Sequence, residues 1–97
     1  MSQEMRKYEA TYILDPQLND ENLQGLVDKF TGLVATEENP ADVKHMGRRR
    51  MTFDIKGKHE GVYVTMRYHA TTAQTAELRR QLGLADEVLR SLILNLN

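Results

Sequence analysis

The chain has 97 residues, no cysteine and a formal net charge of −1 at pH 7. This length indicates one domain with a modest core, and the missing cysteines exclude disulfides, thiolate catalysis and cysteine-ligated metal sites. The first residues are polar and no apolar run reaches membrane-spanning length, which together predict a cytoplasmic protein without a signal peptide or a membrane partner.

The first predicted element is a strand over Arg6–Leu14, a segment rich in Tyr, Thr and Ile that alternates between two faces. Asp15-Pro16 ends this strand. Asn19 or Asp20 is placed to cap the helix that follows. Within that helix, apolar residues recur at helical spacing, which is the strongest periodic signal in the chain. These residues are Leu23, Leu26, Val27, Phe30, Leu33 and Val34.

The second predicted strand covers residues 43–56 and follows a turn-rich connector over residues 37–42. In its later part Met51, Phe53 and Ile55 share one face, and the polar residues between them share the other. A hairpin loop is predicted over residues 57–61, which have a glycine at each end. Alternating apolar residues then predict a third strand over residues 62–69. Three methionines are expected to fill gaps in the core: Met46, Met51 and Met66.

Thr71 or Thr72 is placed to cap a second helix, in which Gly83 occupies the position of a C-terminal cap. Its apolar side is predicted to consist of Ala76, Leu78 and Leu82. The final apolar stretch, residues 88–96, is too short for periodicity to distinguish helix from strand. The order of elements favours a strand, because a fourth strand completes two β-α-β units joined by a hairpin.

The predicted fold is therefore of the α+β class, a ferredoxin-like split β-α-β arrangement with the order βαββαβ. It comprises a four-stranded antiparallel sheet with two helices on one face, and residues 1–97 form a single domain. Phe30 is expected to be buried, and the last strand is expected to lie at an edge of the sheet. The other face of the sheet is left open.

Positive charge is concentrated between Lys44 and Lys58, where six Lys or Arg residues and one Asp give +5 and leave −6 for the rest of the chain. On a strand, Arg48 and Arg50 would share one face, and strict alternation would direct Arg49 to the helix side. Charged residues also protect sheet edges from aggregation, but lysine would suffice for that. Three arginines offer planar groups suited to phosphates and base edges, which favours contact with RNA.

Aromatic and metal-ligating residues give weaker signals. Tyr63 is the tyrosine placed for the open face, whereas Tyr12 and Tyr68 share the register of core residues and are expected to place their hydroxyls at the rim. Carboxylate pairs lie in connectors, so no catalytic or metal site is predicted. The histidines are scattered: His45, His59 and His69.

Four segments together resemble the bacterial small-subunit ribosomal protein S6 family: residues 5–9, 47–55, 61–66 and 88–92. The resemblance spans nearly the whole chain. It implies a structural, non-enzymatic component of the small ribosomal subunit that needs no cofactor and no small-molecule substrate. Such a protein binds small-subunit rRNA of the central domain and forms a heterodimer with ribosomal protein S18. One departure is Asp54, which replaces the family's usual proline and adds an anion to the basic face.

The residues alone leave two other hypotheses open: a dimeric ferredoxin-like regulatory module that binds a small ligand, and a small enzyme of the same fold. The acidic remainder of the chain suits a basic partner, which is expected to dock beside residues 47–55. We expect tight RNA binding only when that partner is bound. The candidate RNA-binding residues are Arg6, Lys7, Lys44, Arg48, Arg49, Arg50, Lys56, Lys58, Tyr63 and Arg67.

Overall fold

The computed structural model describes residues 4–96; residues 1–3 and 97 lie outside it. The elements in chain order are β1 (Arg6–Leu14), α1 (Asp20–Gly32), β2 (Asp42–Ile55), β3 (Lys58–Ala70), α2 (Thr72–Leu84) and β4 (Val88–Asn95). The strands form one antiparallel sheet with the order β2-β3-β1-β4. The predicted ferredoxin-like fold is confirmed, and the last apolar stretch is an edge strand.

One face of the sheet packs against both helices and forms the main core. Phe30 of α1 is fully buried there, and its ring meets the Tyr12 ring edge to face with 5.4 Å between centroids. The packing expected from the helical spacing is therefore confirmed. The main core consists of Tyr8, Ala10, Tyr12, Leu14, Val27, Phe30, Val34, Val64, Met66, Tyr68, Ala70, Leu78, Leu82 and Val88.

The second helix differs from the prediction in two details. Gly83 does not cap α2, because it lies inside the helix and the cap position is taken by Ala85 in extended backbone. Ala76 is exposed, and Thr75 is buried in its place. Leu78 and Leu82 are buried as predicted, so the difference lies at the first position of the buried stripe. There the Thr75 hydroxyl is 3.1 Å from the Tyr68 hydroxyl.

The connection between β2 and β3 is a two-residue turn, so the loop predicted over residues 57–61 is wrong. Lys56 and Gly57 occupy the turn with φ angles of 52° and 75°. Positive φ at both central residues matches the twist of antiparallel strands, as in type I′ hairpins. Residues 58–61 consequently belong to strand β3 and not to a loop.

A second, smaller apolar cluster lies on the face of the sheet away from the helices, which we call the open face. Ile13, Met51 and Leu89 are buried in it, with Ile55 and Tyr63 packed against them. Ile13 and Tyr63 pair directly across β1 and β3, at positions that alternate with those of the main core. Of the methionines predicted to fill the core, Met46 is 39% exposed, so that prediction is wrong for it.

Tyr12 and Tyr68 are core residues as predicted, but their hydroxyls do not lie at the rim. The Tyr12 hydroxyl is buried, and no described residue hydrogen-bonds to it. Burial raises the pKa of Tyr12, and the negative charge of Asp28 raises it further. Burial also raises the pKa of Tyr68, whose hydroxyl is paired with Thr75.

This contrast predicts opposite effects of removing the two hydroxyls. Tyr12→Phe is expected to leave the free energy of unfolding unchanged or to raise it by up to about 1 kcal/mol, because it removes a buried group without a partner. Tyr68→Phe is the matched control and is expected to lose about 1 kcal/mol, because it leaves the Thr75 hydroxyl unpaired. Urea denaturation measures both variants. A larger loss in Tyr12→Phe than in Tyr68→Phe would contradict the prediction.

Candidate nucleic-acid interface

The arginine-rich strand β2 lies at one edge of the sheet, where β3 is its only partner among the described strands. All side chains from Lys44 to Arg50 are exposed. The outer backbone groups of such an edge strand are free to bind another molecule, and charged side chains along it discourage strand-to-strand aggregation. The predicted cationic segment is therefore at the surface, where a polyanion can reach it.

A bulge in β2 decides which way the arginines point. The register shifts between His45 and Gly47, and Gly47 adopts a left-handed φ of 82° that suits a glycine. After this extra residue, Arg48 pairs with Val62 and Arg49 pairs with Gly61.

Val62 packs against the main core, so Arg48 and Arg50 lie on the helix side of the strand. Arg49 lies on the open face. The predicted assignment of faces is wrong, because one extra residue reverses the alternation of every side chain that follows it.

Arg48 is held by contacts within the protein. Its Nη2 donates a hydrogen bond of 2.9 Å to the carbonyl oxygen of Pro16, and its Nη1 is 3.9 Å from Oε2 of Glu60. Arg49 makes a longer hydrogen bond, 3.4 Å from its Nε to the carbonyl oxygen of Met46. The Arg48 side chain is therefore linked to a distant loop, whereas the hydrogen bond of the Arg49 side chain stays within its own strand.

Lys58, the first residue of β3, contacts the same loop. Its Nζ donates a hydrogen bond of 2.7 Å to Oε1 of Gln17 and lies 3.8 Å from Oδ1 of Asp15. Arg50 lines the groove between this loop and the turn, together with Lys58 and His59. The groove therefore places the exposed Arg50 beside a lysine that is already held, with Glu60 in the same lining.

The candidate RNA-binding residues fall into two groups at opposite ends of the sheet. Near the turn lie Arg48, Arg49, Arg50, Lys56, Lys58 and Tyr63; near the other end lie Arg6, Lys7 and Arg67, with Lys44 between the groups. Tyr63 and His69, the residue opposite Lys7, are six positions apart on β3, a distance of about 20 Å. A single small ligand could not contact both groups.

Arg6, Arg67 and Tyr63 each contact neighbouring side chains within the protein. Arg67 donates from Nε to Oε1 of Glu9 at 3.4 Å, and Arg6 lies 3.5 Å from Glu4. Tyr63 is half-buried in the open-face cluster, so part of its ring is covered by neighbouring side chains. Arg6 and Arg67 therefore each lie close to a carboxylate of a neighbouring residue or strand.

Arg90 was absent from the residues predicted from sequence. It lies on β4 opposite Ile13, which places a cation on the open face from the far edge of the sheet. Its Cζ is 5.5 Å from the ring centroid of Phe53, a residue that is 59% exposed. The signal available in the sequence was its position as the one charged residue in the apolar stretch 88–96.

The predicted scatter of the histidines is seen in the structure. His59 lies 2.7 Å from Oδ1 of the exposed Asp54, and His45 and His69 are on different strands. Within residues 4–96, no three side chains of the metal-ligating types converge. None of the described helices has the length and apolar character needed to cross a bilayer.

Comparison of the sequence with known proteins finds its relatives among ribosomal proteins. Residues 7–95 match the family model described as Ribosomal protein S6. The chain is 39% identical over 87 residues to the small ribosomal subunit protein bS6 of Gloeobacter violaceus, covering 89% of this chain and 91% of that protein. It is 37% identical over 93 residues to the bS6 protein of Desulforamulus reducens, covering 93% and 96%.

A solved structure shares the fold. The crystal structure of 30S ribosomal protein S6 from Thermotoga maritima superimposes with a TM-score of 0.84 at 23% sequence identity. The superposition covers 95% of this chain and 88% of that one. At this identity the comparison establishes the arrangement of strands and helices.

Proposed function

Because this chain belongs to the ribosomal protein S6 family, we propose that it binds central-domain rRNA of the small subunit as the heterodimeric partner of ribosomal protein S18. Family membership makes the chain a component of the small ribosomal subunit that takes part in translation in the cytoplasm. It is a structural protein and not an enzyme.

The exposed arginines of β2 support the RNA-binding part of this proposal. Within residues 4–96 the Arg50 side chain has no hydrogen-bond or ion-pair partner, and the Arg49 side chain bonds only to a backbone oxygen. Guanidinium groups with free donors at a surface suit phosphate oxygens, which dominate the affinity of proteins for nucleic acids. The concentration of +5 between Lys44 and Lys58 raises the local potential in a chain whose total is −1.

The same charge distribution supports the need for a basic partner. Outside the basic segment the chain has a charge of −6, which repels a polyanion. A basic protein docked beside residues 47–55 would offset that charge and extend the cationic surface. Two incomplete basic surfaces would then form one RNA-binding face.

The test is a titration of a central-domain rRNA fragment with each protein alone and with both proteins together. We expect the apparent affinity to rise by at least about tenfold when both are present, a gain of about 1.4 kcal/mol. Tight and specific binding by this chain alone, unchanged on addition of S18, would contradict the proposed need for a partner.

Matched charge variants test the role of the arginines in the same titration. Arg49→Gln combined with Arg50→Gln should reduce the slope of log K against log salt by about 1.4–1.8, since each lost phosphate contact removes about 0.7–0.9. The control combines Lys29→Gln with Arg79→Gln, two exposed residues on the helices, and changes the net charge equally. Identical salt dependence in the two double variants would count against the arginines as contacts.

A further inference from the structure

The loop between β1 and α1 holds both strands of the basic hairpin, which we define as residues 47–60. On β2, Arg48 donates to the carbonyl oxygen of Pro16 at 2.9 Å. On β3, Lys58 donates to Oε1 of Gln17 at 2.7 Å. These contacts lie on either side of the Lys56–Gly57 turn, so the loop limits movement of the hairpin as a unit.

The loop is itself fixed to the sheet. The backbone N–H of Asp15 donates to the carbonyl oxygen of Glu87, at 2.8 Å, just before β4 begins. The Asp15 carboxylate accepts a hydrogen bond of 2.9 Å from the backbone N–H of Gln17, a turn that aspartate commonly stabilises. Pro16 restricts the backbone between them. A loop constrained in this way can act as a fixed point for the hairpin.

The cations that contact the loop lie within ion-pair distance of acids, whereas Arg49 and Arg50 do not, although Arg50 is paired with Glu60 in the strand ladder. Lys58 lies 3.8 Å from the Asp15 carboxylate, and Arg48 lies 3.9 Å from Glu60. No acid is within ion-pair distance of Arg49 or Arg50 among the described residues. Among the described residues of the basic hairpin, the positive charge without an ion-pair partner is therefore that of Arg49, Arg50 and Lys56.

We propose that Asp15, Pro16 and Gln17 form a latch that orients the basic hairpin toward RNA. In this arrangement Arg48 and Lys58 are positioning residues, and Arg49 and Arg50 make the direct contacts with RNA phosphates. This division of roles rests on the proposed RNA-binding function. Residues with the same charge therefore have different roles in RNA binding.

Three variants with the same change in charge separate contact from positioning: Arg48→Gln, Lys58→Gln and Arg50→Gln. Each is assayed with S18 on the central-domain rRNA fragment over a range of salt concentrations. Arg50→Gln should reduce the slope of log K against log salt by about 0.7–0.9, the value for one phosphate contact. Arg48→Gln and Lys58→Gln should weaken binding while the slope changes by less than about 0.3. Equal loss of slope in all three variants would overturn the proposal.

A neutral substitution in the latch gives a second test. Gln17→Ala changes no charge and should weaken RNA binding about two- to fivefold with an unchanged salt slope, the effect expected from one exposed hydrogen bond. Gln24→Ala is the matched control, because Gln24 is also exposed and bonds to Asp28 on α1, away from the hairpin. Identical affinities of the two glutamine variants would also overturn the proposal.

Hydrogen exchange in the free protein tests the latch without RNA. Backbone amides of residues 56–61 should exchange faster in Gln17→Ala and Lys58→Gln than in Gln24→Ala. Unchanged exchange in the first two variants would show that the loop does not hold the hairpin. If the unmodified protein with S18 fails to bind the rRNA, the proposed function and the assignment of contacts fail, and the exchange result alone decides whether the latch exists.

Discussion

Replacing Phe30 with alanine is expected to lower the free energy of unfolding by about 3–5 kcal/mol. The Phe30 ring is fully buried between α1 and the sheet and packs edge to face on Tyr12. Truncation removes the largest apolar group that α1 contributes and leaves a cavity that the surrounding β-sheet cannot easily close. For a small domain with a total stability of about 5–15 kcal/mol, this loss is a large fraction.

Urea denaturation of the purified protein measures this effect. Lys29→Ala is the control, because Lys29 precedes Phe30 on the same helix and is exposed. The control should change the free energy of unfolding by less than about 0.5 kcal/mol. A loss below about 1 kcal/mol in Phe30→Ala would mean that the ring is not part of a close-packed core.

Replacing Gly61 with alanine is expected to lower the free energy of unfolding by about 1–3 kcal/mol. A Cβ at this position would lie 2.2 Å from Cγ2 of Ile13, closer than real carbon atoms approach. Ile13 is itself buried against Met51 and Leu89, so it has little room to move. Because Gly61 pairs with Arg49, the clash should also displace the arginine on the open face.

A double-mutant cycle identifies the cause. Ile13→Ala removes the clashing methyl, so adding Gly61→Ala in that background should cost at least about 1 kcal/mol less than in the unmodified protein. Gly25→Ala on α1 is the control, since its Cβ would meet nothing within 4 Å. This control should stabilise the protein by up to about 1 kcal/mol, as expected for Gly→Ala inside an exposed helix. Additive effects of Ile13→Ala and Gly61→Ala would contradict the steric explanation.

Local patterns were enough to predict the elements and the main core. The spacing of apolar residues in α1 depends only on the period of a helix, and Phe30 is buried where that spacing places it. Asn19 caps α1 because its side chain accepts from the Asn22 backbone N–H, an interaction within one turn. The final strand followed from the order of elements, because two β-α-β units require a fourth strand.

Single-residue irregularities were not predictable in the same way. The two-residue turn uses Lys56 in a left-handed conformation, which no local preference of lysine indicates. The bulge before Gly47 adds one residue to β2 and thereby exchanges the faces of Arg48 and Arg49. A pattern with a period of two residues cannot reveal such a shift, because both registers show the same alternation.

The sequence by itself thus determined the burial of α1 and the location of the cationic segment, which depend on residues close together in the chain, and the fold class, which follows from the order of elements. Only the tertiary structure decided which cations are held and which are free. Arg48 meets Pro16 across 32 positions of sequence, and Lys58 meets Gln17 across 41. Arg90 reaches Phe53 from the opposite edge of the sheet. These contacts arise because folding brings distant segments together, and no local pattern encodes their geometry.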